Sequence, residues 1–117
     1  MSTSANFSKV PHAAVKAAGA LQAQAEQAVQ AAALLKVMAN PDRLLLLCQM
    51  VEGERSVAEL GEATGLLQPS LSQQLAVLRR EGLVETRRDG KFIHYRVASP
   101  AVLALLTTLY QQFCQPL

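Results

Sequence analysis

The stretch "QPSLSQQLAVLRREG", Gln68 to Gly82, concentrates uncharged hydrogen-bonding side chains where a surface helix ordinarily carries Glu and Lys. On a 100° wheel Leu71, Leu75 and Leu78 share one side and face the domain. Opposite them lie Ser70, Gln73, Val77 and Arg80, flanked by Ser72 and Gln74. Such a face suits base readout. Gln can bond adenine in a bidentate manner, Ser can bond several base edges, and small apolar groups meet the thymine methyl. Fixed negative charge would be repelled by phosphates, and the exposed face carries none before Glu81. Gln68, Ser70, Ser72, Gln73 and Gln74 are therefore candidate DNA contacts, with Arg79 and Arg80 placed for phosphates. The helix N-terminus favours an anion as well. Taken alone, the stretch fits a ligand-free polar surface helix equally well.

The other reactive side chains are two thiols, Cys48 and Cys114. Two cysteines cannot staple a scaffold, which points to a reducing compartment. Their ordinary role would be as buried, inert core residues. The Cys-x-x-Cys spacing of a thiol oxidoreductase is missing, as are a phosphate loop and a Ser/His/Asp constellation. Neither catalysis nor a cofactor is expected. His12 and His94 lie in the N-terminal stretch and on a strand-like segment, and read as structural or incidental.

The elements around these residues change the weighing. "SVAELGEATG" is a short helix with Ser56 as N-cap, Glu59 completing a capping box and Gly65 as its stop. A brief turn then leads to Pro69 at the start of the polar-faced helix. Short helix, turn and second helix form a helix-turn-helix layout. After Gly82 the period changes to that of strands. "LVETRR" and "KFIHYRV" flank Asp89-Gly90, a strong two-residue hairpin signal, with Arg87, Arg88 and Lys91 expected at the tip. The chain has net charge +2, but Gln68 to Arg96 holds six of the 11 basic residues against three of the nine acidic ones. Clustered positive charge on a helix and a hairpin is the footprint of a phosphate-facing surface. The joint layout predicts a winged helix that binds double-stranded DNA.

Upstream, "ANPDRLLLLCQMVEGE" reads as a helix capped by Asn40, with Pro41 at its first position, Asp42 in its first turn and Gly53 as its stop. Leu44 to Leu47 cover every direction around its axis, so burial on all sides is expected. From about Ala17 an Ala-rich helix carries the stripe Leu21, Ala25, Ala28, Ala32 and Leu35. Its small residues would let a second helix approach closely, from a partner subunit or from the domain's own core. Residues 1–14 read as a mobile tail, and 15–117 as the winged-helix and dimerisation domain. Ser99-Pro100 starts a last helix whose apolar face is Val102, Leu105, Leu106, Leu109, Tyr110 and Phe113. The 117 residues fit one domain, mainly α with a β-hairpin wing. Half of them are hydrophobic but only 4% aromatic, so the core should be built from Leu, Val and Ala. Without a bilayer-length apolar run or a secretory signal, the expected location is cytoplasmic.

Through "ANPDRLLLL", "SVAEL", "LSQQLAVLRREGLV" and "RRDGKFIHYRV" the chain resembles the ArsR family of bacterial winged-helix repressors, strongly from about Leu34 to Val97. The resemblance implies a homodimer joined through the first and last helices, here by Leu21, Ala25, Ala28, Leu106, Leu109 and Phe113. It also implies promoter repression relieved by an inducer. Many members bind metal through Cys-x-Cys in the short helix, where this chain has Ser56 and Ala58. Others use His and carboxylates on the last helix, and Ser99 to Leu117 contain none. No metal site is therefore expected. Cys48 and Cys114 instead stand where the family's sulfur-sensing branch carries its two thiols. That implies reversible linkage by reactive sulfur species or oxidants, as a disulfide or polysulfide bridge, which would release the operator. A disulfide requires Cα atoms within about 7 Å, and an inserted sulfur chain relaxes the limit. The resemblance leaves a second role open. This would be an anti-silencing activator, or a regulator with inert cysteines governed by a partner.

Overall fold

In the computed structural model the backbone is described from Pro11 to Cys114 and the side chains from Gly19 to Cys114. Residues 1–10, most of the expected mobile tail, lie outside the described residues, while Pro11 to Ala14 are already helical. Helix α1, Pro11–Met38, thus begins before the expected Ala17. Pro11 fits a first helical position, and the Ala-rich run that follows propagates a helix well. The chain divides into two units, Met1–Lys36 and Val37–Leu117. In the first, the stripe Leu21, Ala25, Ala28, Ala32 and Leu35 is exposed.

The second unit opens with α2, Pro41–Cys48. Asn40 Oδ1 accepts from the Arg43 backbone N–H at 3.1 Å, as the capping pattern predicts. The helix stops at Cys48, ahead of the expected Gly53, which lies in the following turn and donates its N–H to Met50 O. Burial is one-sided. Leu46 and Leu47 are fully buried, but Leu45 is 40% exposed, against the expectation of burial all round. An eight-residue helix packed against α3 and α4 on one flank leaves the opposite flank open.

Two residues of strand follow, β1, Arg55–Ser56, and then helix α3, Val57–Thr64. The capping box is complete. The Glu59 N–H donates to Ser56 Oγ at 3.2 Å, and the Ser56 N–H donates to Glu59 Oε1 at 2.8 Å. Gly65 ends α3 in the left-handed region at φ +74°, where a side chain would be strained. Helix α4, Ser70–Arg80, lies against α3 so closely that a Cβ at Gly61 would stand 3.2 Å from Leu71 Cδ2.

Strands β2, Val84–Asp89, and β3, Phe92–Val97, form the wing. The pairing Asp89↔Phe92 makes Gly90-Lys91 the two-residue turn, one position on from the expected Asp89-Gly90. Gly90 takes φ +61°, which a glycine adopts at no steric cost. The sheet order is β1-β3-β2, so the expected hairpin is present and β1 adds a third antiparallel strand to it. Helix α5, Pro100–Leu109, is capped by Ser99 Oγ and runs into a wider π-turn, Tyr110–Cys114. The core of this unit is Met38, Leu46, Leu47, Met50, Leu60, Leu71, Leu75, Leu78, Leu83, Val84, Val102 and Leu106, without an aromatic ring.

Candidate nucleic-acid interface and thiol pair

Leu71, Leu75 and Leu78 anchor α4 in the core as its wheel predicts. The outward face is rotated from the expected one. Ser72, Gln73, Ala76, Arg79 and Arg80 are exposed, whereas Ser70, Gln74 and Val77 are half-buried. The cause is α2, which packs against α4 and reaches Gln74 through Arg43. Ala76 therefore takes the central small apolar position assigned to Val77. Gln68 folds back, and its Oε1 accepts from the Ser72 N–H at 3.1 Å, which caps the first turn. Part of its capacity thus goes to holding the helix.

The cations differ in their commitments. Arg79 forms no ion pair among the described residues, and Arg80 makes a single exposed contact to Glu81 at 3.4 Å. On the wing, neighbouring residues point to opposite faces of the sheet. Arg88, opposite Ile93, shares a face with Thr86 and Tyr95; Arg87, opposite His94, shares the other with Glu85 and Arg96. Arg87 is clamped. Its Nε donates to Glu54 Oε1 and Oε2 at 3.2 and 3.3 Å, and Nη2 also donates to Oε1. This bond lowers the Glu54 carboxyl below the usual range and raises Arg87. Glu59 is likewise lowered, by the Ser56 N–H and hydroxyl. Arg96 donates to Glu85 at 2.6 Å. Lys91 Nζ lies 5.7 Å from the centre of the exposed Phe92 ring. Both Arg87 and Arg88 sit behind the turn, leaving Gly90-Lys91 at the tip.

Between α4 and the wing runs an open cleft of about 420 Å³, lined by Val57, Ser72, Leu75, Ala76, Arg79, Arg80 and Tyr95. The exposed polar and cationic residues of α4 and the Tyr95 face of the wing thus border one surface. Sequence reasoning missed Ala76, Glu54, Arg43 and Tyr95. Ala76 stands on the outward half of the same wheel, so that signal was present. The others depend on contacts distant in sequence.

Cys48 ends α2 half-buried, and Cys114 ends the π-turn exposed; both are free thiols. Burial pushes the Cys48 thiol up, and the charge of Cys114 pushes it further. Among the described residues no group of three or more His, Cys, Asp or Glu is disposed to hold a metal ion. Among them, too, no helix is long and apolar enough to cross a membrane.

On α5, Leu106 is 0% exposed, whereas Leu109 is half-buried and Phe113 is 80% exposed. Leu106 was expected at a dimer interface. Its side chain fills the protomer's own core and has no surface to offer, because it falls on the same side of α5 as the buried Val102. Leu105, Tyr110 and Phe113 remain outside.

A capped helix, a tight turn, a polar-faced second helix and a basic wing define a winged helix-turn-helix transcriptional regulator. The pattern described as "Bacterial regulatory protein, arsR family" matches residues 40–86. The chain is 47% identical to the biofilm growth-associated repressor of Agrobacterium fabrum, over 82% of each protein. It is 42% identical to the transcriptional activator HlyU of Vibrio cholerae, over 81% of this chain and 88% of that protein. The structure of reduced HlyU from Vibrio cholerae superposes with a TM-score of 0.77 at 41% identity, over 80% of this chain and 99% of that one. The chain belongs to the arsR family, and these relatives are regulators of transcription.

Proposed function

We propose that this regulator is a homodimeric, sequence-specific repressor whose hold on operator DNA is released when reactive sulfur species link Cys48 to Cys114. The observation that carries the reading is the thiol pair itself. One thiol is half-buried on a core helix, the other is exposed on the terminal helix, and the second perturbs the first. Support also comes from relatives named as a repressor and an activator of transcription, and from one solved in a form described as reduced.

The chemistry divides between the two thiols. Cys114, the more accessible thiol, would react first. Its thiolate attacks the sulfane sulfur of a low-molecular-weight persulfide, becomes Cys114–S–SH and releases the thiol. Cys48 then attacks Sγ of Cys114; a disulfide forms and hydrosulfide leaves. Two cysteines are oxidised and one persulfide is reduced. A longer polysulfide donor would leave sulfur in the bridge. Because Cys48 is held protonated near neutral pH, ring closure should accelerate as pH rises towards the alkaline range. The bridge would tie α2 to the end of α5. In a dimer whose recognition helices must stand about 34 Å apart, a small change of hinge lowers DNA affinity. A coupling of about 1–3 kcal/mol would weaken binding about 5- to 150-fold. Leu21, Ala25 and Ala28 on α1, and Leu109 and Phe113 on α5, would each meet a second copy of the chain.

The test is intact mass after a polysulfide donor or hydrogen peroxide, without reductant, alongside gel-shift of a duplex selected from a random library. Loss of two hydrogens, with or without added sulfur atoms, together with DNA release that disappears in Cys48→Ser, is the expected result. An unchanged mass under both treatments, or full release by Cys48→Ser, overturns the switch. The activator reading, favoured by the likeness to HlyU, predicts that deletion lowers expression from the bound promoter.

A further inference from the structure

A glutamine can pair with adenine in a bidentate manner, which for Gln74 would need both ends of its amide. Adenine offers N6–H to an oxygen and N7 to an N–H donor. In the folded chain the oxygen end is turned towards α2. Arg43 Nη1 donates to Gln74 Oε1 at 3.0 Å, and Arg43 itself is anchored by Nε donating to Val37 O at 2.7 Å. The orientation of the amide follows from chemistry alone. A guanidinium has five N–H donors and no acceptor, so the atom facing it must be the amide oxygen. The nitrogen is left over. Nε2 makes no hydrogen bond among the described residues, and no buried side-chain nitrogen or oxygen there lacks a partner, so it faces solvent.

We infer that Arg43 is a specificity-determining residue: it turns the Gln74 oxygen inwards and leaves α4 with a pure donor at this position. A donor-only group suits guanine, whose N7 and O6 are adjacent acceptors, and it is mismatched to adenine, whose N6 amino group is also a donor. The base pair facing Gln74 is then read as guanine. Arg43 makes no base contact itself; it acts by positioning. The inference rests on α4 being the element that reads bases.

The experiment is selection from a randomised duplex library with the reduced full-length protein and with Gln74→Ala, Arg43→Lys and Arg43→Met. Gln74→Ala locates the base pair, as the position where preference is lost. The expected result is guanine over adenine there, by about fivefold or more in relative binding. Arg43→Lys retains a donor and should retain guanine. Arg43→Met frees the oxygen and should move the preference towards adenine, which a purely structural role for Arg43 would not do. Adenine in the wild-type selection, an unchanged preference in Arg43→Met, or a Gln74→Ala profile identical to wild type overturns the assignment. If Arg43→Met loses its helical circular dichroism, the base chosen by wild type and Arg43→Lys decides alone. If no protein enriches any sequence, DNA reading by α4 fails first, and this assignment with it.

Discussion

On α4 two arginines reach solvent almost unencumbered, whereas on the wing two arginines of three are held by carboxylates, Arg96 by Glu85 and Arg87 by Glu54, 33 residues away in the chain. Both regions are basic in sequence, yet a cation already paired with Glu54 offers a phosphate little net charge. Cations of similar spacing can therefore differ in their contribution to affinity, and the difference is set by which carboxylate the fold brings alongside. The helix should supply most of the salt-dependent binding, and the wing should contribute mainly through Arg88 and Lys91.

The largest expected effect is on the helix side. Arg79→Ala combined with Arg80→Ala should weaken binding to a selected duplex about tenfold or more at 0.1 M salt and flatten the salt dependence by about 1.8 in slope. Fluorescence anisotropy across a salt series checks this, and a near-wild-type slope would break the comparison. Next comes Ser56, which joins the wing to the helix ahead of α4, because it pairs with His94 and caps α3. Ser56→Ala should cost about 1 kcal/mol of stability in urea unfolding. The smallest effects test the clamp. Arg87→Ala should leave the salt slope almost unchanged, while Arg88→Ala flattens it and Glu54→Gln steepens it by about 0.9. Equal losses from Arg87→Ala and Arg88→Ala would show that the clamp opens freely on DNA. The pH response follows the same pair. The Glu54 carboxyl is lowered on folding, so its stabilising contribution is present above the usual carboxylate pKa and is lost as pH falls through the lowered value. Thermal unfolding at pH 5 and pH 8 should therefore show the same contribution from this pair, with loss confined to more acid solution.

Much of the helix-turn-helix was legible because its signals are local. The Asn40 cap, the Ser56–Glu59 box and the Gly65 stop each lie within a few residues of the helix end they define. What escaped was set by contacts between distant segments. A two-residue strand has no periodicity to read, so β1 was missed. The outward face of α4 depends on which flank α2 covers, which moved Ala76 to the front and half-buried Gln74 and Val77. Leu106 has the same hydropathy as its exposed neighbours on α5, and only packing separates them. Arg87 and Arg88 are adjacent in sequence, but alternation in β2 sends them to opposite sides.

The π-turn at Tyr110–Cys114 bears on how such a pair of thiols could be tuned through descent. A wider turn takes up an extra residue without lengthening the helix in proportion, so it uncouples the azimuth of Cys114 from its count along the chain. Aim then becomes adjustable on its own. A single insertion or deletion near the end of α5 could rotate the sulfur towards or away from Cys48 while leaving the buried Val102 and Leu106 seated, so the spacing of the two thiols could drift without any change to the core.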